Sequence, residues 1–167
     1  EWMFRLPGQL GATTRMNARC YGGEIRQIVT RVEVVTKDGH ERVYTEQEMR
    51  SVFRGYKDTM FMANGDIVWA VELQLTPGGD RSIMRAKMSA YEDDRIKKGQ
   101  FVYPNCGCVF KNDHSPEVSV PSGMLLDASD VRSLPAPGLE VSPYHANFVN
   151  NLRGTSRSIL ELTLAMR

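Results

Sequence analysis

Apolar and polar positions alternate in patterns that predict a chain of mixed strands and helices with no internal repeat. RVEVVT and ERVY, at 31–36 and 41–44, are rich in β-branched residues and flank KDGH, and an Asp-Gly turn between two such runs predicts a β-hairpin. TEQE at Thr45 to Glu48 has the spacing of a capping box and predicts the start of a short helix. In DIVWAVELQL, Ile67, Trp69, Val71, Leu73 and Leu75 recur at period two while Asp66, Glu72 and Gln74 fall opposite. That predicts a half-buried strand with the apolar set turned inward, stopped by TPGGD. From Arg81, Met84, Met88 and Tyr91 recur at helical spacing, and the helix closes in the basic run RIKKG. Beyond Gly99 proline is more frequent and regular period is weaker, which places a boundary near Lys98 to Gln100. SGMLLDAS predicts a short helix, ANFVNN a strand, and Thr155 or Ser156 starts a last helix carrying Ile159, Leu160, Leu162 and Leu164.

Composition narrows the setting. The chain has 167 residues, 41% of them apolar, which is enough for a core. Its 21 Lys and Arg against 20 Asp and Glu leave a net charge of +1, so no general nucleic-acid footprint is present. No apolar run reaches the roughly 18 residues of a membrane span, and EWMFRLPGQLG has neither the charged leader nor the apolar stretch of an export signal. Three irregularly spaced cysteines make no disulfide framework, so the expected setting is a soluble protein in a reducing cytoplasm. LPGQLGATTRMN reads as a Gly-punctuated loop that arrives with no strand and helix before it, and the last helix stops at Arg167 without a cap. Both ends are those expected of a piece of a longer protein.

The most chemically distinctive stretch is YPNCGCVFKN, which sets Cys106 and Cys108 on either side of Gly107. Structural zinc normally takes four ligands from paired clusters, and a redox pair has the C-x-x-C spacing, so neither metal binding nor disulfide exchange fits. What remains on the residues alone is a pair of small buried thiols in a turn. A free thiol has a pKa of about 8.5, far nearer neutrality than an alcohol's. Arg95, Lys97 and Lys98 are candidate phosphate partners, although a helix C-terminus favours cations in any case. His40, His114 and His145 share no ligand-spaced pattern, and His145 reads as a packing or hydrogen-bonding residue.

Four stretches in order carry a family resemblance. LPGQLGATTRMNARCYGGEI resembles IPGTVGGAVRMNAGAYGGEI of the UDP-N-acetylenolpyruvoylglucosamine reductase (UDP-N-acetylmuramate dehydrogenase) family; RGYKDTMF resembles its GYR-x-S-x-F, YPNCGCVFKN its YPS-x-GSVFKN, and VSPYHANFVNN its VSEKHANFIVN. The resemblance implies an α+β fold, with residues 1–98 similar to the later part of an FAD-binding domain and 99–167 to a substrate-binding domain, incomplete at its C-terminus. The family's N-terminal flavin-binding portion and C-terminal tail, which carries its catalytic glutamate, have no counterpart here.

The activity it implies is NADPH-driven, flavin-dependent reduction of UDP-N-acetylglucosamine enolpyruvate to UDP-N-acetylmuramate for the cell wall. The alternative is a non-catalytic fragment that keeps a nucleotide-sugar-binding surface. Cys108 stands at the family's catalytic serine, which delivers a proton to carbon 2 of the substrate, and Cys106 at a position the family varies. Tyr56 and Lys57 match a Tyr-Arg pair that meets the substrate and its carboxylate; here lysine keeps the charge and loses the bidentate fork. Asn112 matches an asparagine used toward the uridine diphosphate, with Arg95 and Lys97 as phosphate partners by location; a plain Asx-turn before Asp113 is the alternative for Asn112. Pro7, Gly8, Gly11, Ala12 and Asn17 lie in the flavin-contacting loop, where small residues let backbone N–H groups approach the nucleotide. Arg19 and Cys20 stand where the family has Gly-Ala, and if that glycine serves a positive backbone angle, Arg19 is strained.

Overall fold

The computed structural model describes residues 1–112 and 120–167, so Asp113 and His114 lie outside the described residues. The chain divides into two units, Glu1–Tyr91 and Glu92–Arg167. Helices and strands mix in both, an α+β architecture.

The first unit opens with helix α1 (Leu10–Arg15) and a short antiparallel pair, β1 (Arg19–Cys20) and β2 (Gly23–Glu24). Next come β3 (Val29–Val35), β4 (Glu41–Tyr44), α2 (Met49–Val52), β5 (Phe53–Gly55), β6 (Asp58–Thr59), α3 (Met60–Asn64) and β7 (Ile67–Leu73). The expected hairpin is β3 paired antiparallel with β4, and Gly39 takes the left-handed φ of +84° that its turn requires. The capping box is also present: Glu48 Oε2 accepts from the Thr45 N–H at 2.9 Å, and a 3-10 turn at Glu46–Glu48 leads into α2. Val32, Val34, Tyr44, Val52, Phe53 and Phe61 form the core over which the sheet, in the order β4-β3-β7, is laid. A buried network closes it, with the Tyr44 hydroxyl donating to Asp66 Oδ2 at 3.1 Å and the Asn64 amide donating to the same oxygen at 2.8 Å.

Two expectations for this unit need correcting. In β7, Val71 faces Val32, Ala70 faces Glu33, and Val68 faces Val34, so Trp69 is an extra residue in the ladder. This bulge shifts the alternation by one, which turns Val68 inward with Val71 and Leu73. Ile67 and Trp69, predicted to point inward, are instead 65% and 78% exposed. The second correction concerns LPGQLGATTRMN, half of which is the helix α1. Gly11 belongs to it and lets it lie against β7, because a Cβ there would stand 3.0 Å from the Val68 carbonyl oxygen.

Helix α4 (Arg81–Lys97) begins in the first unit and ends in the second. Gly99 terminates it with φ +68°, its N–H bonding to the Ile96 carbonyl at 2.9 Å while Gln100 N bonds to the Arg95 carbonyl at 3.1 Å. A Cβ on Gly99 would also collide with the Tyr144 ring. The second unit continues with α5 (Ser122–Ala128), β8 (Leu139–Val141), β9 (Val149–Asn151) and α6 (Ser156–Ala165). β8 and β9 pair antiparallel, Leu139 with Asn151 and Val141 with Val149. Leu126, Val131, Leu139, Val141, Val149, Leu162 and Met166 make its core. Thr155 caps α6 through Oγ1, which accepts from Ser158 N at 3.2 Å. Of the apolar residues expected on α6, Leu162 is buried, while Ile159, Leu160 and Leu164 are exposed.

Candidate functional site

In the first unit the expected flavin-loop residues split into two groups. Pro7, Gly8 and Ala12 are exposed, and Gly8 has φ +125° with nothing within 4 Å of the place a side chain would occupy. Gly11 and Asn17 instead hold the fold. Asn17 is wholly buried in a left-handed conformation (φ +44°), and its amide donates to Glu24 Oε1 at 2.7 Å and to the Gly55 carbonyl at 2.9 Å. That second bond ties the loop to the hairpin β5–β6. Thr14 Oγ1 and Asn17 Oδ1 are buried without a hydrogen-bond partner among the described residues, so this region has unused polar capacity. An open left-handed glycine in the same stretch of chain as such atoms fits a loop built for a nucleotide cofactor.

The hairpin itself carries Tyr56 and Lys57 at its tip, between the paired residues Gly55 and Asp58. Lys57 takes φ +46°, a left-handed angle that costs a β-carbon-bearing residue about 1–3 kcal/mol. The stem is secured twice: Arg54 pairs with Asp58 at 2.7 Å, and Thr59 Oγ1 donates to the Arg15 carbonyl at 2.6 Å. Lys57 Nζ lies 5.6 Å from the centroid of the Tyr56 ring. The guanidinium carbon of Arg19 lies 5.3 Å from the same centroid. Arg19 is not strained, contrary to the concern raised by its replacement of glycine. It sits in the extended strand β1, and the left-handed angles nearby fall on Asn17 and on Tyr21 (φ +49°).

In the second unit Cys106 and Cys108 are both exposed, against the expectation of buried thiols in the turn, and Gly107 between them takes φ +77°. Two asparagines shape this turn. Asn105 Oδ1 accepts from Gly107 N at 3.0 Å, and its amide donates to the carbonyls of Gln100 and Tyr103 at 3.1 and 3.0 Å. Asn147, fully buried, accepts from Phe110 N at 2.8 Å and donates to the Phe110 carbonyl at 2.9 Å, while its own carbonyl receives Val109 N at 2.9 Å. Cys108 thus leaves an anchored backbone, bridged antiparallel to Phe148. Sequence reading gave neither asparagine a role, although Asn147 is the asparagine of the quoted HANF motif.

The remaining candidates behave differently from one another. Arg95 is only 4% exposed, and its Nη1 donates to Gln100 Oε1 at 3.0 Å, so it braces the residue to which Asn105 also bonds. Lys97 is exposed at the helix end, and Lys98 pairs with Asp94 at 2.6 Å. Asn112 Oδ1 accepts from Ser122 N at 3.0 Å and so caps the first turn of α5. His145 stacks on Phe148 at 4.3 Å, accepts from Asn147 N at 3.2 Å through Nδ1, and sits where a Cβ on Gly123 would strike its ring, as its packing reading anticipated. Burial holds its pKa below the ordinary histidine value, opposed by the charge of Asp127. Among the described residues no group of three or more His, Cys, Asp or Glu is placed to hold a metal ion, and no helix is long and apolar enough to cross a membrane.

Residues 98–167, which contain the thiol turn and its clamps, match the family model described as UDP-N-acetylenolpyruvoylglucosamine reductase, C-terminal domain. That match covers all but the first six residues of the second unit, Glu92–Arg167. Two relatives extend the match to nearly the whole chain. The UDP-N-acetylenolpyruvoylglucosamine reductase of Borrelia garinii subsp. bavariensis is 32% identical over 97% of this chain and 51% of its own length; that of Lactobacillus gasseri is 33% identical over 97% and 51%. The crystal structure of the UDP-N-acetylenolpyruvylglucosamine reductase of Thermus caldophilus superimposes with a TM-score of 0.76 at 29% identity, covering 99% of this chain and 58% of that one. This chain is similar over nearly its whole length to members of the UDP-N-acetylenolpyruvoylglucosamine reductase family, and it spans about half the length of the curated relatives it matches.

Proposed function

We propose that this protein is an oxidoreductase that reduces the enolpyruvyl ether of UDP-N-acetylglucosamine to UDP-N-acetylmuramate, a step in peptidoglycan precursor synthesis, using FAD and NADPH in the cytoplasm. The observation that carries this reading is the thiol turn: the one residue standing at the family's serine is an exposed Cys108 on a backbone fixed by Asn147, so a side chain able to give up a proton is presented in a set place. FAD, when bound, would supply the hydride that reaches carbon 3 of the substrate, and Pro7, Gly8 and Ala12 are the exposed residues that would hold it. Lys57 meets the enolpyruvyl carboxylate, where its charge also stabilises the enolate that develops. The Tyr56 ring lies beside it and packs on the sugar-proximal part of the substrate. Cys108 then delivers its proton to carbon 2. Lys97 and Asn112 bind the diphosphate, and Arg95, buried and bonded to Gln100, braces the end of the helix that carries Lys97. On this reading the functional boundary falls at 98/99; the C-terminal family match, which begins at residue 98, supports it.

The second reading is a nucleotide-sugar-binding protein without turnover, favoured by Lys57, which stands where the family motif has arginine and lacks its bidentate fork. One preparation separates the two. The reductase reading expects a yellow protein with a flavin absorption band that converts the enolpyruvyl substrate with NADPH to a product of the mass of UDP-N-acetylmuramate. A colourless protein that binds uridine diphosphate and forms no product supports the second.

A further inference from the structure

At the hairpin tip, two cations approach one aromatic ring, Lys57 at 5.6 Å and Arg19 at 5.3 Å from the Tyr56 centroid. Arg19 arrives from a different element, the exposed strand β1. The nearby acids are already committed, Glu24 to Arg26 at 2.8 Å and Asp58 to Arg54 at 2.7 Å, and no carboxylate of the described residues forms an ion pair with Arg19. Lysine offers a point charge, whereas a guanidinium offers the planar fork that matches a carboxylate.

We infer that Arg19 is a substrate-binding residue that supplies the guanidinium missing at position 57, so that Arg19 and Lys57, both near the Tyr56 ring, together hold the carboxylate of the enolpyruvyl group. This rests on the reductase reading given above and adds to it a residue from outside the hairpin. The exchange is reciprocal in sequence: arginine appears at 19 where the family has glycine, and lysine at 57 where it has arginine.

The test compares two ligands by calorimetry, UDP-N-acetylglucosamine enolpyruvate and UDP-N-acetylglucosamine, which lacks the carboxylate. Arg19→Ala is expected to weaken the first about 10-fold to 100-fold and the second less than about 2-fold. Arg19→Lys recovers part of the loss, and the double exchange Arg19→Gly with Lys57→Arg recovers most of it, because the fork returns to the hairpin. Arg19 is exposed, so the thermal midpoint of Arg19→Ala stays at that of the parent, and a lowered midpoint with equal loss for both ligands would assign Arg19 to the fold. If the parent binds both ligands and Arg19→Ala weakens neither, or both equally, the Arg19 assignment is overturned while the reductase reading stands. If the parent binds neither, that reading falls and this inference falls with it.

Discussion

At the tip of the β5–β6 hairpin the left-handed backbone angle is taken by Lys57 itself; at the thiol turn it is taken by Gly107, where it carries no side-chain penalty. The tip is held at its stem, by Arg54 with Asp58 and by Thr59, and its two end residues extend beyond those bonds. The thiol turn is held at its own backbone, by Asn105 before the cysteines and Asn147 just after them. Each place carries a chemical relative of the residue in the family motif, lysine for arginine and cysteine for serine. The difference shows how each substitution is accommodated. A clamped backbone lets an exposed side chain be exchanged for a similar one in the same position. If Arg19 and Lys57 share the substrate carboxylate as proposed, the tip recovers its lost guanidinium from a neighbouring strand.

The largest effect expected from this comparison is on chemistry. Cys108→Ala should slow the proton-dependent half-reaction by about 100-fold to 10,000-fold, as loss of a general acid commonly does. Cys108→Ser should preserve turnover and Cys106→Ala should lose much less, all followed by rapid-mixing reoxidation of the flavin. Equal losses for Cys106→Ala and Cys108→Ala would show that the thiols serve the turn.

Next in size is the clamp. Asn147→Ala leaves the Phe110 N–H and carbonyl without their partner, a loss of about 2–4 kcal/mol in denaturant unfolding, while Asn105→Ala, half-buried, should cost about 1–2 kcal/mol. If Asn147→Ala costs less than about 0.5 kcal/mol, the contrast between clamped turn and held stem loses its basis.

Smaller still is the effect at the tip. Lys57→Gly relieves the left-handed angle but loosens the unfolded chain, so it should be neutral to about 1 kcal/mol stabilising while it weakens carboxylate binding. A destabilisation of about 1 kcal/mol or more would mean that Lys57 holds the hairpin together.

The smallest effect is on pH dependence. Burial lowers the pKa of His145 in the fold, so the unfolded chain takes up its proton first as pH falls. Stability from this source is complete above the ordinary histidine value of about 6.5 and is lost as pH falls from there through the folded pKa. His145→Gln should flatten that part of a thermal-midpoint profile between pH 7.5 and 5, and an unchanged slope would remove His145 as its cause.

What could be read in the sequence was what local chemistry dictates. The hairpin of β3 and β4 follows from β-branched runs around Asp-Gly, the start of α2 from the Thr45 and Glu48 pair, and the end of α4 from Gly99. What could not be read depends on distant partners. The inward face of β7 was misassigned because one bulge at Trp69 shifts its phase, and a bulge is a property of the ladder with β3. β8 has three residues and exists through its pairing with β9. Gly11 looked like part of a nucleotide loop and packs α1 on Val68. Charge alone picked out Arg95, whose burial against Gln100 no local pattern announces. Asn147 acts on Phe110 from 37 positions away, which is why only its motif, and not its role, was visible.

The central claim is that the thiol of Cys108 hands a proton to carbon 2 of an enolpyruvyl substrate, and the most direct measurement follows that proton. The reaction is run in deuterium oxide with unlabelled NADPH, and the product is read by NMR. The account predicts UDP-N-acetylmuramate with one solvent deuterium at carbon 2, in a single configuration, and none at carbon 3. Deuterium divided between two configurations at carbon 2, or no product from a protein that retains its flavin, would contradict it.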